Sequence, residues 1–233
     1  LGMPPKVGVG FGTPAESYGF DGKLLGWEVI PDLIASASPL RTSHLRDPVG
    51  LQIQFASEQF MDELAHATGD DPVAFRLKYA KAPRDLAVLK AAAEKSGWQV
   101  RGNTPRDRSG KVLTGRGIAY AQRGGTIVAV VAEIEVERTT GRIWGRKFTV
   151  AHDCGLIVNP LGLRYTIEGA LVQALSRTLF EEVQFATDKV VSVDWNTYPI
   201  LDIQDAPEKI EVVLINRPEA APTGAGEATC RVV

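Results

Sequence analysis

The stretch from residue 127 to 150 constrains the fold most. Residues 127–136 are dense in β-branched side chains, Thr140-Gly141 supplies a turn, and 143–150 repeats the strand-like pattern, which together predict a β-hairpin. Along Val131 to Glu137 apolar residues alternate with Glu133, Glu135 and Glu137, so one face is expected to turn inward and the glutamates to form a solvated sheet face. A sheet of this kind needs a layer to pack against. The strongest helical signal lies at 160–183, where Ile167, Ala170, Leu171, Ala174, Leu175 and Leu179 share one side.

Three further helices are expected upstream. Phe55, Gln59, Phe60, Leu64 and Ala67 sit at helical spacing, with Gly69 as a stop. Asp71-Pro72 starts a second helix running to about Lys81, with Asp71 as its cap and Pro72 in the first turn. A third runs from about Arg84 to Ser96 and closes at Gly97. Short strands are expected near 190–193 and 210–215. Residues 1–23, with Val7-Gly8-Val9-Gly10-Phe11-Gly12, favour irregular structure, but that run lacks the spacing and the Lys-Ser/Thr ending of a phosphate loop. Helical and strand blocks in this order give an α+β class with mixed helices and an antiparallel sheet. Three parts are expected: a glycine-rich and helical part at 1–100, a loop or junction at 101–116, and the hairpin, long helix and Glu227 loop at 117–233.

Composition narrows function by exclusion. Lys+Arg 26 against Asp+Glu 28 gives a formal net charge of −2 over 233 residues, which argues against a nucleic-acid binder. With 44% hydrophobic and 23% charged residues the chain has the means to build a core. Charges such as Asp32, Glu133 and Glu168 interrupt every apolar run before the roughly 18 residues that a membrane span needs. Cys154 and Cys230 form neither a disulfide framework nor a zinc motif. The chain opens at Leu1 and closes at Val233 without start or stop features, so it reads as a fragment whose compartment, cytoplasmic or periplasmic, stays open.

Few residues carry chemistry by local pattern. Glu227 follows Gly224-Ala225-Gly226, where missing side chains let a ligand approach the backbone while the carboxylate projects as a general base; by spacing alone a solvated turn glutamate is the simpler reading. Arg46 offers a planar donor fork for an anion, and Arg41 fits equally well. His152 and Cys154 sit two apart on one strand face, an arrangement open to a thiolate nucleophile but equally to a buried structural cysteine. Gln173 sits off the apolar stripe of the long helix, facing Gly169.

Several blocks, taken in order, resemble one family. These are Ser38-Pro39-Leu40-Arg41-Thr42-Ser43-His44-Leu45-Arg46-Asp47-Pro48 with the following helix, Asp71-Pro72-Val73-Ala74-Phe75-Arg76, His152-Asp153-Cys154-Gly155, Ile167-Glu168-Gly169-Ala170 and Gly224-Ala225-Gly226-Glu227. They are similar to the molybdenum hydroxylases, the xanthine dehydrogenase and aldehyde oxidase family, in particular the molybdopterin-binding subunit of the isoquinoline 1-oxidoreductase and nicotinate dehydrogenase type. The resemblance implies the C-terminal part of a longer subunit within a molybdenum-cofactor-binding domain. It also implies a molybdopterin cofactor, in its simple or cytosine dinucleotide form, and [2Fe-2S] clusters on a small iron–sulfur partner subunit. It implies oxygen from water and an N-heteroaromatic or aldehyde substrate. By the same resemblance Glu227 is the catalytic base, and Arg46, Thr166 and Gly226 lie against the cofactor, Thr166 standing where the family has a glutamine. Two departures stand out: the loop after Arg46 reads Asp47-Pro48-Val49-Gly50 with fewer glycines, and the family's upstream cofactor loop is absent. The alternative is a non-catalytic scaffold that docks an electron-transfer subunit.

Overall fold

The computed structural model describes residues 17–24, 45–48, 50–100 and 109–233. The run Gly8 to Gly12, Arg41 and the first part of the 101–116 junction lie outside these residues. Four strands form one sheet in the order β1 (Val112–Arg123), β2 (Thr126–Glu137), β3 (Ile143–Asp153) and β4 (Lys209–Leu214). The hairpin between β2 and β3 is present, and β1 pairs antiparallel with β2 along its whole length. β4 runs parallel to β3, which requires a long crossover, and the connection carries the helix α4 (Pro160–Leu179).

β1 begins at Val112, inside the segment expected to be a loop. Its glycines disguised it. Gly115 is the partner of Ile134, whose Cγ1 would lie 3.0 Å from a Cβ there, so the missing side chain makes room for a cross-strand one. Gly124 and Gly125, at φ 55° and 87°, form the two-residue turn that sends β1 into β2.

Both faces of the sheet are covered. On one side Ile118, Tyr120, Ile127, Ala129, Val131 and Ala151 pack with α1 (Gly50–Thr68), α2 (Pro72–Tyr79) and α3 (Pro83–Lys95) through Met61, Ala65, Phe75, Val88 and Leu89. On the other, Val128, Val130, Phe148 and Val150 pack with Ile167, Leu171 and Leu175 of α4 and with a C-terminal 3-10 helix, Ala228–Val232. The first half of β2 is therefore buried on both faces, and only its second half is partly open. There Glu133 faces Arg116 and Lys147, and Glu135 meets Arg146 at 2.8 Å, so the expected solvated glutamates form part of a charged ladder across the sheet. No strand forms at 190–193 beyond one bridge between Phe185 and Val190. The Thr197 hydroxyl accepts from Val193 N and Asp194 N, a local turn that competes with pairing.

The cap at Asp71 is as expected, accepting from Val73 N and Ala74 N at 2.9 and 3.1 Å. α1 differs in which face is buried. It starts at Gly50 and turns Gln54, Glu58, Met61 and Ala65 inward, leaving Phe55 and Phe60 exposed. Two polar residues win this face because each is hydrogen-bonded there. Gln54 Nε2 donates to Tyr120 O at 2.7 Å. The Glu58 carboxylate accepts from Tyr18 Oη at 2.6 Å and from Arg76 Nε and Tyr120 N at 2.9 Å each. Arg76, itself fully buried, also donates to Asp62 at 2.6 Å. This network ties α1, α2, β1 and Tyr18 together.

His152 is fully buried on the α4 side of β3, and among the described residues neither ring nitrogen has a hydrogen-bond partner. Burial pushes its pKa down to about 4, against a smaller upward pull from Asp153.

Both buried groups have consequences for stability. Arg76→Leu leaves Glu58 buried without its cation and is expected to cost about 3–5 kcal/mol in urea unfolding, whereas replacing both by leucine recovers part of that loss. A cost under about 1 kcal/mol for the single variant would contradict the network. For His152, the unfolded chain binds a proton near pH 6.5 while the folded chain resists it down to about 4. Stability is full above about 6.5 and falls by up to about 3 kcal/mol as pH drops through that window. His152→Leu should flatten this dependence; an unchanged pH profile in the variant would contradict it.

Candidate functional site

The Gly224–Glu227 loop enters the 3-10 helix, and Glu227 stands at its start, partly buried. Arg46 and Asp47 come to it from a site some 180 residues earlier in the chain. Arg46 Nη1 donates to Gly226 O at 2.7 Å, and Asp47 N donates to Glu227 Oε1 at 2.9 Å. The other carboxylate oxygen of Glu227 pairs with Arg123 Nη2. Three expected site residues, Arg46, Gly226 and Glu227, are thus in one place.

Asp47 organises the cluster. Its side chain is wholly buried, and its backbone takes a left-handed conformation at φ 56°, which asparagine and aspartate tolerate better than most residues. Arg123 Nε donates to Oδ1 at 3.0 Å; Arg231 donates through Nε to Oδ2 at 2.8 Å and through Nη2 to Oδ1 at 2.9 Å. Gly50 is required beside it, because a Cβ there would collide with both carboxylate oxygens. Arg231 Nη1 also donates to Gln122 O at 3.0 Å, and Arg177 Nη1 donates to Arg46 O at 2.9 Å.

The other end of the loop is held by the sheet. Thr126 Oγ1 donates to Gly224 O at 2.8 Å and lies 2.7 Å from Thr223 Oγ1, while Thr223 N donates to Cys154 O at 2.8 Å. Gly155, at φ 82°, is pressed so closely against Ala221 O that no side chain fits. Next to it, Asp153 accepts from Arg84 Nη2 at 2.6 Å and Arg217 Nε at 3.0 Å. Burial pushes the Asp153 carboxyl up, but these two guanidiniums outweigh it and hold it below the ordinary value.

Among the described residues no hydrogen bond joins Thr166 to this cluster. Thr166 is exposed on α4, and its hydroxyl donates to Gly162 O at 2.9 Å within its own helix. Gln173 is exposed on the same helix, one turn before Arg177. The structure lends no support to a His152–Cys154 nucleophile: among the described residues neither imidazole nitrogen has a partner, and burial pushes the Cys154 thiol up, away from thiolate. Cys230 is also buried, with Sγ 3.4 Å from Ala170 O, and serves to seat the 3-10 helix on α4.

Sequence reasoning missed Asp47, Arg123, Arg177 and Arg231. Arg231 follows Glu227 by four residues and Asp47 follows Arg46 directly, but nothing local says that these pairs meet. Together Arg46, Arg123, Arg177 and Arg231 outnumber the carboxylates of Asp47 and Glu227, which leaves positive charge for an anionic ligand. Among the described residues no group of three His, Cys, Asp or Glu side chains is placed to hold a metal ion. An arginine-rich cluster beside a glycine loop fits a phosphate-bearing ligand. A groove of about 790 Å³, lined by Leu51, Phe55, Ile118 and Val130, adjoins the cluster at Arg177 and Arg231.

The chain is 38% identical over 84% of its length to a nicotinate dehydrogenase component of Pseudomonas putida, of which it spans 17%. It is 29% identical over 85% of its length to the beta chain of the isoquinoline 1-oxidoreductase of Brevundimonas diminuta, of which it spans 25%. The chain thus covers a quarter or less of these relatives. The aldehyde oxidoreductase of Desulfovibrio gigas has a similar fold, with a TM-score of 0.65 at 15% identity over 81% of this chain and 38% of that one. The family model of the molybdopterin cofactor-binding domain matches residues 61–207, more than half of the sequence, and the chain belongs to that family.

Proposed function

We propose that this chain is the base-bearing and cofactor-holding part of a molybdenum-dependent hydroxylase. The whole protein would act on an N-heteroaromatic compound or an aldehyde, take oxygen from water and pass electrons to an iron–sulfur partner subunit. The observation that carries this reading is the meeting of Arg46, Gly226 and Glu227 in one arginine-rich cluster. The names of the two relatives, a nicotinate dehydrogenase and an isoquinoline oxidoreductase, support the substrate class.

In this reading the molybdenum cofactor, when bound, supplies the electron sink and the oxygen-transfer chemistry. The chain's residues do the rest. The Arg46 guanidinium and the open backbone at Gly224 and Gly226 hold an anionic pterin. Thr166 contributes one hydroxyl from α4 once it leaves Gly162 O. Glu227 takes the proton released as oxygen is transferred to an electron-poor carbon. Each oxygen of that carboxylate keeps a lone pair beyond the bond it makes to Asp47 N or Arg123, and the base role uses one of these. The loop leaves its backbone open to a ligand, because among the described residues a Cβ at Gly224 would meet nothing within 4 Å and one at Gly226 only Arg46 Nη1, at 3.5 Å.

The test uses the full-length protein co-expressed with its iron–sulfur partner. Glu227→Gln is expected to lower turnover of an N-heteroaromatic or aldehyde substrate by about 10²–10⁴-fold, with molybdenum content per chain unchanged. Wild-type turnover in that variant would remove Glu227 from the chemistry. Wild-type protein that folds and purifies with its partner but without molybdenum would instead favour a docking scaffold.

A further inference from the structure

We propose that the tip of the β1–β2 hairpin, residues 123–126, is the template that places Glu227, with Arg123 as its positioning residue. The proposal rests on the reading of Glu227 as the base and adds to it how that base is aimed.

The hairpin tip touches the loop at both ends. Thr126 holds Gly224 O and Thr223 Oγ1 on one side of the turn, and Arg123 pairs with Glu227 on the other. Between them the Gly124-Gly125 turn has no side chains, and Thr223 Cγ2 would lie 3.0 Å from a Cβ at Gly125, so the loop lies against the turn itself. Arg123 and Thr126 are register partners, which makes the spacing of the two contacts a property of the sheet.

Arg123 is in turn aimed by Asp47. A buried carboxylate must be matched by cations. Arg231 takes one side of it, and Arg123 takes Oδ1 through Nε. Because a guanidinium is planar, fixing Nε also fixes where Nη2 points, and it points at Glu227. Asp47 then closes the circuit by donating its own backbone N–H to the remaining oxygen of Glu227. The base is thus gripped by two donors that share one buried anion.

The experiment compares Arg123→Gln, Arg123→Lys and Thr126→Val in the molybdenum-loaded full-length protein with its partner. Arg123→Gln should lower kcat about 10–100-fold with KM changed less than about threefold. Hydrogen exchange at the Asp47 amide should speed up about tenfold as its acceptor drifts away. Added guanidinium ion should restore part of the lost kcat, and Arg123→Lys should restore charge but less than half of the rate. In a Glu227→Gln background Arg123→Gln should add little, because the two act through one group. Thr126→Val should show a smaller loss of the same kind.

Wild-type kcat and wild-type Asp47 exchange in Arg123→Gln would overturn the proposal and leave the base reading intact. Wild-type kcat in Glu227→Gln would overturn the base reading, while faster Asp47 exchange in Arg123→Gln would still show that Arg123 holds the carboxylate. Should Arg123→Gln fail to load molybdenum, Arg123→Lys decides: loading with depressed kcat and guanidinium rescue supports positioning, and failure to load shows a structural role and overturns it.

Discussion

Burying the Asp47 carboxylate commits the chain to a particular closure. An isolated carboxylate is too costly to remove from water, so the cations that meet it, Arg123 from β1 and Arg231 from the C-terminal 3-10 helix, must arrive together. Their arrival brings together segments separated by 76 and 184 residues. The same closure seats the turn before α1 on the loop that carries Glu227. A site assembled from such distant parts is defined by its paired charges more than by any one segment.

The sheet gives that closure a rigid base. Its central strands are covered on both faces, by α1 to α3 on one side and by α4 with the 3-10 helix on the other. The site lies at the end of this sandwich where the β1–β2 turn, the last residues of β3 and the 220–227 loop meet. Two buried aspartates serve this end: Asp47 fixes the Glu227 side, and Asp153, through Arg84 and Arg217, fixes the segment leading into the loop. Buried charge pairs add little net stability, but breaking one is costly, which suits parts that must keep one geometry.

Much of the fold is legible in the sequence because periodicity is a local signal. The β2–β3 hairpin, the Asp71 cap and the apolar stripe of α4 follow from residues close in sequence. The start of β1 is hidden by Gly115, which reads as loop, although it serves to admit Ile134. The buried face of α1 is not legible either. Apolarity points to Phe55 and Phe60, whereas Gln54 and Glu58 go inside, made tolerable by Tyr18, Arg76 and Tyr120 from elsewhere in the chain. For the site, Glu227, Arg46 and Gly226 are reached through a family resemblance. Their partners Asp47, Arg123 and Arg231 are not, since a salt bridge across the chain leaves no trace in local pattern.

The central claim is that a molybdenum cofactor is held where Arg46, Gly226 and Glu227 meet. The most direct measurement is an anomalous difference map at the molybdenum absorption edge from crystals of the full-length protein with its iron–sulfur partner. The account predicts one strong peak whose nearest carboxylate is Glu227. A molybdenum peak nearest to another carboxylate, or none in the intact complex, would contradict it.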